Sequence, residues 1–185
     1  MLAWSAGFSE DAMQFAYVTL PGRGSLDLLL SGLAARGLAQ GWRLAGAVQE
    51  NVERAGSEKC DMDLRVLPNG PVMRISQRLG SGAAGCTLDP TALETAVGEA
   101  GLRLTADSDL LIVNKFGRHE SEGRGFREVI AQALELEVPV LVGLNPGYAE
   151  AFDSFCGGMA EQVAPTAAAL EAWCRAAIDN RRQAA

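Results

Sequence analysis

Phe15-Ala-Tyr-Val-Thr-Leu20, then Pro21-Gly22-Arg23-Gly24, then Ser25-Leu-Asp-Leu-Leu-Leu30 is the stretch on which the fold turns. The first six residues are a short apolar run rich in β-branched and aromatic side chains, which reads as a buried strand. Pro21 and two glycines end it in a tight loop. Ser25 is the expected N-cap of a helix in which Leu26, Leu29, Leu30, Leu33 and Leu38 recur at helical spacing, with Gly41 closing it.

The same strand-then-helix rhythm continues outward. Further strands are expected near residues 43–49, 109–114 and 138–143, each apolar throughout. Asp89-Pro90 opens a helix, Asp as cap and Pro in the first turn, with Leu93, Val97 and Ala100 along its inner face. A second helix carries Phe126, Val129, Ile130, Ala133 and Leu134. A last one, over about residues 165–179, turns Leu170, Trp173, Cys174, Ala177 and Ile178 inward. Strands without an exposed face, alternating with helices, imply an α/β fold: a mainly parallel sheet with helices on both faces. Asn69-Gly70 between residues 62–67 and 71–76 signals a β-hairpin, inserted over about residues 60–77. Residues 50–59 read as an exposed polar loop, and residues 81–87 as a loop rich in glycine and alanine. One domain is expected over residues 14–180, with residues 1–13 as an N-terminal extension.

Composition narrows the function classes. Of 185 residues, 48% are hydrophobic and 21% charged, an ordinary globular balance. The net charge of −7, with no run of Lys or Arg, argues against nucleic acid as a main partner, since phosphate neutralisation needs clustered cations. No stretch is apolar for long enough to span a membrane, and the N-terminus lacks the pattern of an export signal. A cytoplasmic protein with free thiols is therefore expected.

In an open α/β sheet, ligands bind at the C-terminal ends of strands. That rule selects residues 21–25, 49–51 and 114–125, with residues 145–148 as a further candidate. A glycine-rich turn entering a helix presents backbone N–H groups and the positive end of a dipole, which together suit an anion. Gly22, Arg23, Gly24 and Ser25 are the candidates there. The loop is shorter than the usual phosphate loop and has no Lys before Ser25. Asp27, in the first turn, either favours the helix dipole or repels an anion. An ordinary strand-to-helix turn has the same residues. After the most apolar strand comes Asn114-Lys-Phe-Gly-Arg-His-Glu-Ser-Glu-Gly-Arg-Gly125. Lys115, Arg118 and Arg124 offer cations, Glu120 and Glu122 offer carboxylates, and His119 is the one histidine, able to titrate near neutral pH. A solvated mixed-charge loop is the competing reading. Cys60, Cys86 and His119 are weak candidates for a soft-metal site, because nothing in their spacing requires one.

Several stretches together resemble a bacterial family catalogued as a domain of unknown function. They are Gly41-Trp-Arg-Leu-Ala-Gly-Ala-Val-Gln49, Cys60-Asp-Met-Asp-Leu-Arg-Val-Leu-Pro68, Arg74-Ile-Ser-Gln-Arg-Leu-Gly80, Gly85-Cys-Thr-Leu-Asp89 and Asn114-Lys-Phe-Gly117. The resemblance covers roughly residues 14–178. It implies a P-loop fold similar to the small nucleoside-triphosphatases, with residues 21–25 at the phosphate loop and Asn114-Lys115 at the acidic pair that ends the Walker B strand. Members sometimes carry a molybdate-transport label. A nucleotide with Mg²⁺ is the implied cofactor, and this chain departs from the pattern at both the loop lysine and the acidic pair.

The leading expectation is a P-loop-derived domain binding a nucleotide or phosphate-like oxyanion, with weak or no hydrolysis: at most a degenerate nucleoside-triphosphatase. The alternative is a non-catalytic protein of oxyanion (molybdate-type) or metal homeostasis. A small anionic ligand is the expected partner. A homo-oligomer or a protein partner stays open, since the hairpin edge offers a strand for pairing.

Overall fold

The structure is a computed structural model, and it describes residues 13–53, 60–77 and 88–184. In chain order the elements are β1 (Phe15–Val18), α1 (Ser25–Ala39), β2 (Leu44–Glu53), β3 (Cys60–Val66), β4 (Val72–Arg74), α2 (Pro90–Arg103), β5 (Leu110–Phe116), α3 (Arg118–Ser121), α4 (Arg127–Glu135), β6 (Val140–Leu144), α5 (Ala149–Cys156), β7 (Glu161–Gln162) and α6 (Ala167–Ala184), with a 3-10 turn at Pro146–Tyr148. The strands form one sheet in the order β4-β3-β2-β5-β6-β1-β7. The β2–β5, β5–β6, β6–β1 and β1–β7 pairs are parallel, and β3 and β4 extend the sheet antiparallel.

Period-two alternation sorts the apolar strands onto two cores. Phe15, Leu111, Val113, Val140 and Val142 face one side, beneath Leu93 and Ala96 of α2, Val129 and Ile130 of α4 and Phe152 of α5. Ala16, Val18, Leu110, Ile112 and Leu141 face the other, beneath Leu26, Leu30 and Leu33 of α1 and Leu170, Cys174 and Ile178 of α6. Burial on both faces is why these strands carry no polar alternation. No helix of the described residues is long and apolar enough to cross a membrane.

Four expectations need correction. Ser25 is not the N-cap of α1: Gly24 is, at φ 77°, a left-handed conformation that glycine adopts without a Cβ clash, and Ser25 is the first helical residue. Residues 50–53 are not loop but continue β2, because β3 pairs with them from Glu50↔Asp63 to Glu53↔Cys60; the antiparallel partner satisfies their backbone after the parallel neighbour has ended. Residues 114–125 are not one polar loop. β5 runs on to Phe116, whose buried ring packs edge-on against Phe152 at 5.1 Å between centroids, and α3 follows. The last helix extends to Ala184, its end held by Arg181, which donates to the carbonyls of Leu136, Glu137 and Ala106, and by Arg182, which pairs with Asp109. The hairpin is present, shorter than expected on its second strand, with Asp63 opposite Arg74.

The chain order places a switch at β1. From β1 the chain crosses to β2, returns through β5 and β6 to β1's flank, and later lays β7 on β1's other side. The C-terminal ends of these strands, where α1 begins, form the crevice that such a switch opens.

Candidate functional site

After β1 the chain turns through Gly22 at φ 106° and Gly24 at φ 77° into α1. A Cβ on Gly24 would stand 3.2 Å from Asn51 Nδ2, so the loop rests directly on the end of β2. Arg23 is exposed at the tip. One turn into α1, Asp27 points back at the sheet and is 3% exposed.

Four donors converge on that carboxylate. Asn114 Nδ2 donates to Oδ1 at 2.9 Å, and Lys115 Nζ stands 3.4 Å from the same oxygen. Asn51 Nδ2 donates to Oδ2 at 2.8 Å and Gln49 Nε2 at 3.3 Å. Gln49 Nε2 also donates to Asn51 Oδ1 at 2.8 Å, and the Gln49 backbone N–H reaches Asn114 Oδ1 at 3.4 Å. The result is a cross-braced network of three carboxamides, one carboxylate and one ammonium. It ties the first turn of α1 to the ends of β2 and β5. A carboxylate accepts at about four lone-pair positions, and all four are used here. The Lys115 side chain is 34% exposed, so its ammonium reaches both Asp27 and solvent.

The remaining candidates take other roles. Glu120 is buried, and its two oxygens accept from the backbone N–H groups of Gly117 at 3.0 Å and Phe126 at 3.2 Å, stapling α3 to the start of α4. Burial pushes its carboxyl above the ordinary range, partly offset by those two N–H donors. His119 is buried beside it, with Nδ1 lacking a partner. Arg118 Nε donates to Glu122 at 2.8 Å, and Arg124 donates to the other Glu122 oxygen. Hydrogen bonds from Arg118 and Arg124 hold the Glu122 carboxyl below its usual range. Cys86 and the side chain of Cys60 lie outside the described residues. Among the described residues, no group of three or more His, Cys, Asp or Glu is placed to hold a metal ion.

Of the expected residues, Asn114 and Lys115 thus meet at Asp27, and Gly24, between Arg23 and Ser25 in the loop, rests against Asn51 of the same network. Gln49 and Asn51 complete the network. The strand-end rule selects their segment without singling them out, and Asp27's burial has no sequence signal separate from its place in a helix's first turn.

The sequence matches the family model described as "Protein of unknown function (DUF2478)" over residues 15–173. The chain belongs to this family. It is also 33% identical over 169 residues to the "Molybdenum import ATP-binding protein ModC 2" of Bradyrhizobium diazoefficiens, a match covering 91% of this chain and 19% of that protein. The chain therefore spans about a fifth of that relative's length. Among solved structures, it resembles a human cancer-related nucleoside triphosphatase with a TM-score of 0.55 and 18% identity, covering 80% of this chain and 87% of the other. At that identity the likeness is one of fold: the sheet and its helices are those of a P-loop nucleoside-triphosphatase-like domain.

Proposed function

We propose that this chain is a P-loop-derived domain that binds a nucleotide or another phosphate-like oxyanion, with slow or no hydrolysis. The observation that carries the reading is the placing of Lys115, 3.4 Å from Asp27 beneath the first turn of α1. The loop at Gly22, Arg23, Gly24 and Ser25 has no lysine of its own, and β5 brings one to Asp27 in the helix turn that follows it. Asn114 holds the floor of the site, Arg23, Arg118 and Arg124 supply outlying positive charge, and Glu120 and His119 shape the segment that follows β5. The fold likeness to a nucleoside triphosphatase and the relative named as ATP-binding support a nucleotide. That relative's name also cites molybdenum import, which favours a second reading: a non-catalytic oxyanion-binding domain of molybdate type. Either reading assigns a cytoplasmic bacterial protein with a small anionic ligand, and the net charge of −7 disfavours nucleic acid.

A thermal-shift panel with ATP, GTP, molybdate and tungstate, run on the natural chain and on Lys115→Ala, tests the proposal. Stabilisation by at least one anion, lost in the variant, is expected. Nucleotide response favours the first reading and response to the metal oxyanions alone the second. An unchanged melting temperature with every anion, or an equal shift in Lys115→Ala, overturns both.

A further inference from the structure

The P-loop fold implies a divalent cation, normally Mg²⁺ anchored by a carboxylate at the end of the Walker B strand. Among the described residues, the end of β5 does not fit one. Near the end of β5, where that carboxylate would stand, come Asn114 and Lys115, an amide and a cation. The carboxylate that does reach this end, Asp27, is buried and accepts from Asn114, Lys115, Asn51 and Gln49, with no lone pair left for a metal. Glu120 is committed to two backbone N–H groups, Glu122 to Arg118 and Arg124, and Glu50 to Arg65. Mg²⁺ needs one or two free carboxylates beside its waters and the substrate phosphates.

Charge sets the size of the ligand. Lys115 and Asp27 cancel, so the network offers a neutral floor with an ammonium at its exposed edge. The start of α1 adds about half a positive charge through its N–H groups. That suffices for one small oxyanion. A triphosphate without metal would bring more negative charge than Lys115, Arg23 and the start of α1 supply against Asp27, into a protein whose overall field is already repulsive.

We infer that the site takes a small tetrahedral oxyanion, free or as a terminal monophosphate, without a divalent metal, and does not take a metal-bound triphosphate. This rests on the anion-binding reading above and narrows it. Lys115 supplies the cation that the loop lacks, and Asp27 fixes its position from below while tempering the affinity. The probes are inorganic phosphate, molybdate, AMP and ATP, titrated calorimetrically into the full chain with excess Mg²⁺ or with EDTA.

Phosphate, molybdate or AMP should bind, with Kd values agreeing within about twofold between Mg²⁺ and EDTA. Molybdate alone, or phosphate and AMP together, would identify which source of the oxyanion the site prefers. Asp27→Asn keeps one of the two acceptor oxygens and removes the opposing charge, so it should tighten binding by about tenfold, the scale of one screened charge at this range. Circular dichroism of that variant checks that it folds. Where it does not, the comparison of Mg²⁺ with EDTA on the natural chain decides alone. ATP binding that requires Mg²⁺ overturns the inference and leaves the anion-binding reading standing. Silence with all four probes in both buffers overturns the two together.

Discussion

Asp27 and Lys115 stand 88 residues apart in the chain and meet across 3.4 Å at the end of the sheet. The acid sits on the helix that follows the glycine loop, and the cation sits on the strand that would end in acid in an ordinary P-loop enzyme. Three carboxamides hold the pair in register: Asn114 and Asn51 each donate to one oxygen of Asp27, and Gln49 braces Asn51. The buried acid therefore has a full set of donors, which is the condition for keeping a polar network inside a fold.

That arrangement predicts an asymmetry between its two charged members. Asp27→Ala leaves Asn114, Asn51 and Gln49 donors facing a void, and should cost about 1–3 kcal/mol for each donor that water cannot reach. Lys115→Met removes one donor from a carboxylate that keeps three, and the lysine is partly in water, so about 1 kcal/mol or less is expected. Urea unfolding of the two variants measures both. A Lys115→Met variant less stable than Asp27→Ala would show that the ammonium, not the amides, stabilises the acid.

Gly46 gives the sharpest test of the sheet. It lies in β2 at φ 100°, and a Cβ there would stand 2.0 Å from the backbone oxygen of Ile112 on β5. Backbone cannot step aside as a side chain does. Gly46→Ala should destabilise by at least about 2 kcal/mol, through overlap and through a backbone conformation that alanine resists. Thermal unfolding that matches the natural chain would mean that β2 and β5 are not joined in this register.

How far the sequence exposes this molecule depends on which forces are local. Four of the five parallel strands are legible because each is apolar on both faces, whereas β7, two exposed residues long, gives no such signal; the hairpin is legible because Asn69-Gly70 sits between two β-type runs. Asp89-Pro90 marks α2, and Asp89 does cap it, accepting from the N–H groups of Thr91 and Ala92. The polar end of β2 is not legible, since residues 51–53 are strand only by virtue of β3, paired across a separate segment. Nor is the role of Glu120: its place among Arg118, Glu122 and Arg124 looks like solvated charge, while it is 3% exposed and holds the backbone N–H groups of Gly117 and Phe126. Asp27 is the plainest case. In the first turn of a helix an acid is ordinary, and the four donors that make this one different lie 22 to 88 residues away.

At the opposite end of the sheet, Asp109 links acid stability to α6. Its side chain is wholly buried and pairs with Arg43 at 2.7 Å and Arg182 at 2.7 Å. Burial alone would push its carboxyl up; hydrogen bonds from Arg43 and Arg182 overcome this and hold it well below the ordinary carboxylate range. A depressed folded value means that the stabilisation is present above about pH 4 and is lost as the pH falls further. Replacing both arginines by Ala leaves a buried charge unpaired, and should cost about 3–5 kcal/mol at neutral pH. The pair-less variant should also lose less stability than the natural chain on acidification, because Asp109 no longer gains from staying ionised. Asp109→Asn should cost less, since it leaves two half-exposed guanidinium groups free to turn to water. Denaturant midpoints across pH 3 to 7 separate these outcomes, and a parallel pH dependence in all variants would remove Asp109 from the account.

Hydrolysis is where the exchange of charges has its largest expected consequence. Phosphoryl transfer is accelerated by cations and metal held against the charge that spreads over the transferring group. The loop offers no lysine, and Lys115 is partly neutralised by Asp27 at 3.4 Å. Asn114 cannot anchor Mg²⁺ as a carboxylate would. Glu120 is not free to act as a general base, since both its oxygens hold backbone N–H groups within its own segment. With ATP or GTP and Mg²⁺, phosphate release should stay below about 1 s⁻¹, under the ordinary enzyme range. A faster rate that disappears in Lys115→Ala would show that this lysine reaches the transferring phosphate despite its tether. A faster rate that survives in that variant, and falls on replacing Arg23 or Arg124, would assign the missing charge to the outer arginines. Slow turnover unaffected by any of the three is the result that the Asp27 network predicts, because Asp27 tempers Lys115 and Asn114 stands where the metal-holding acid would be.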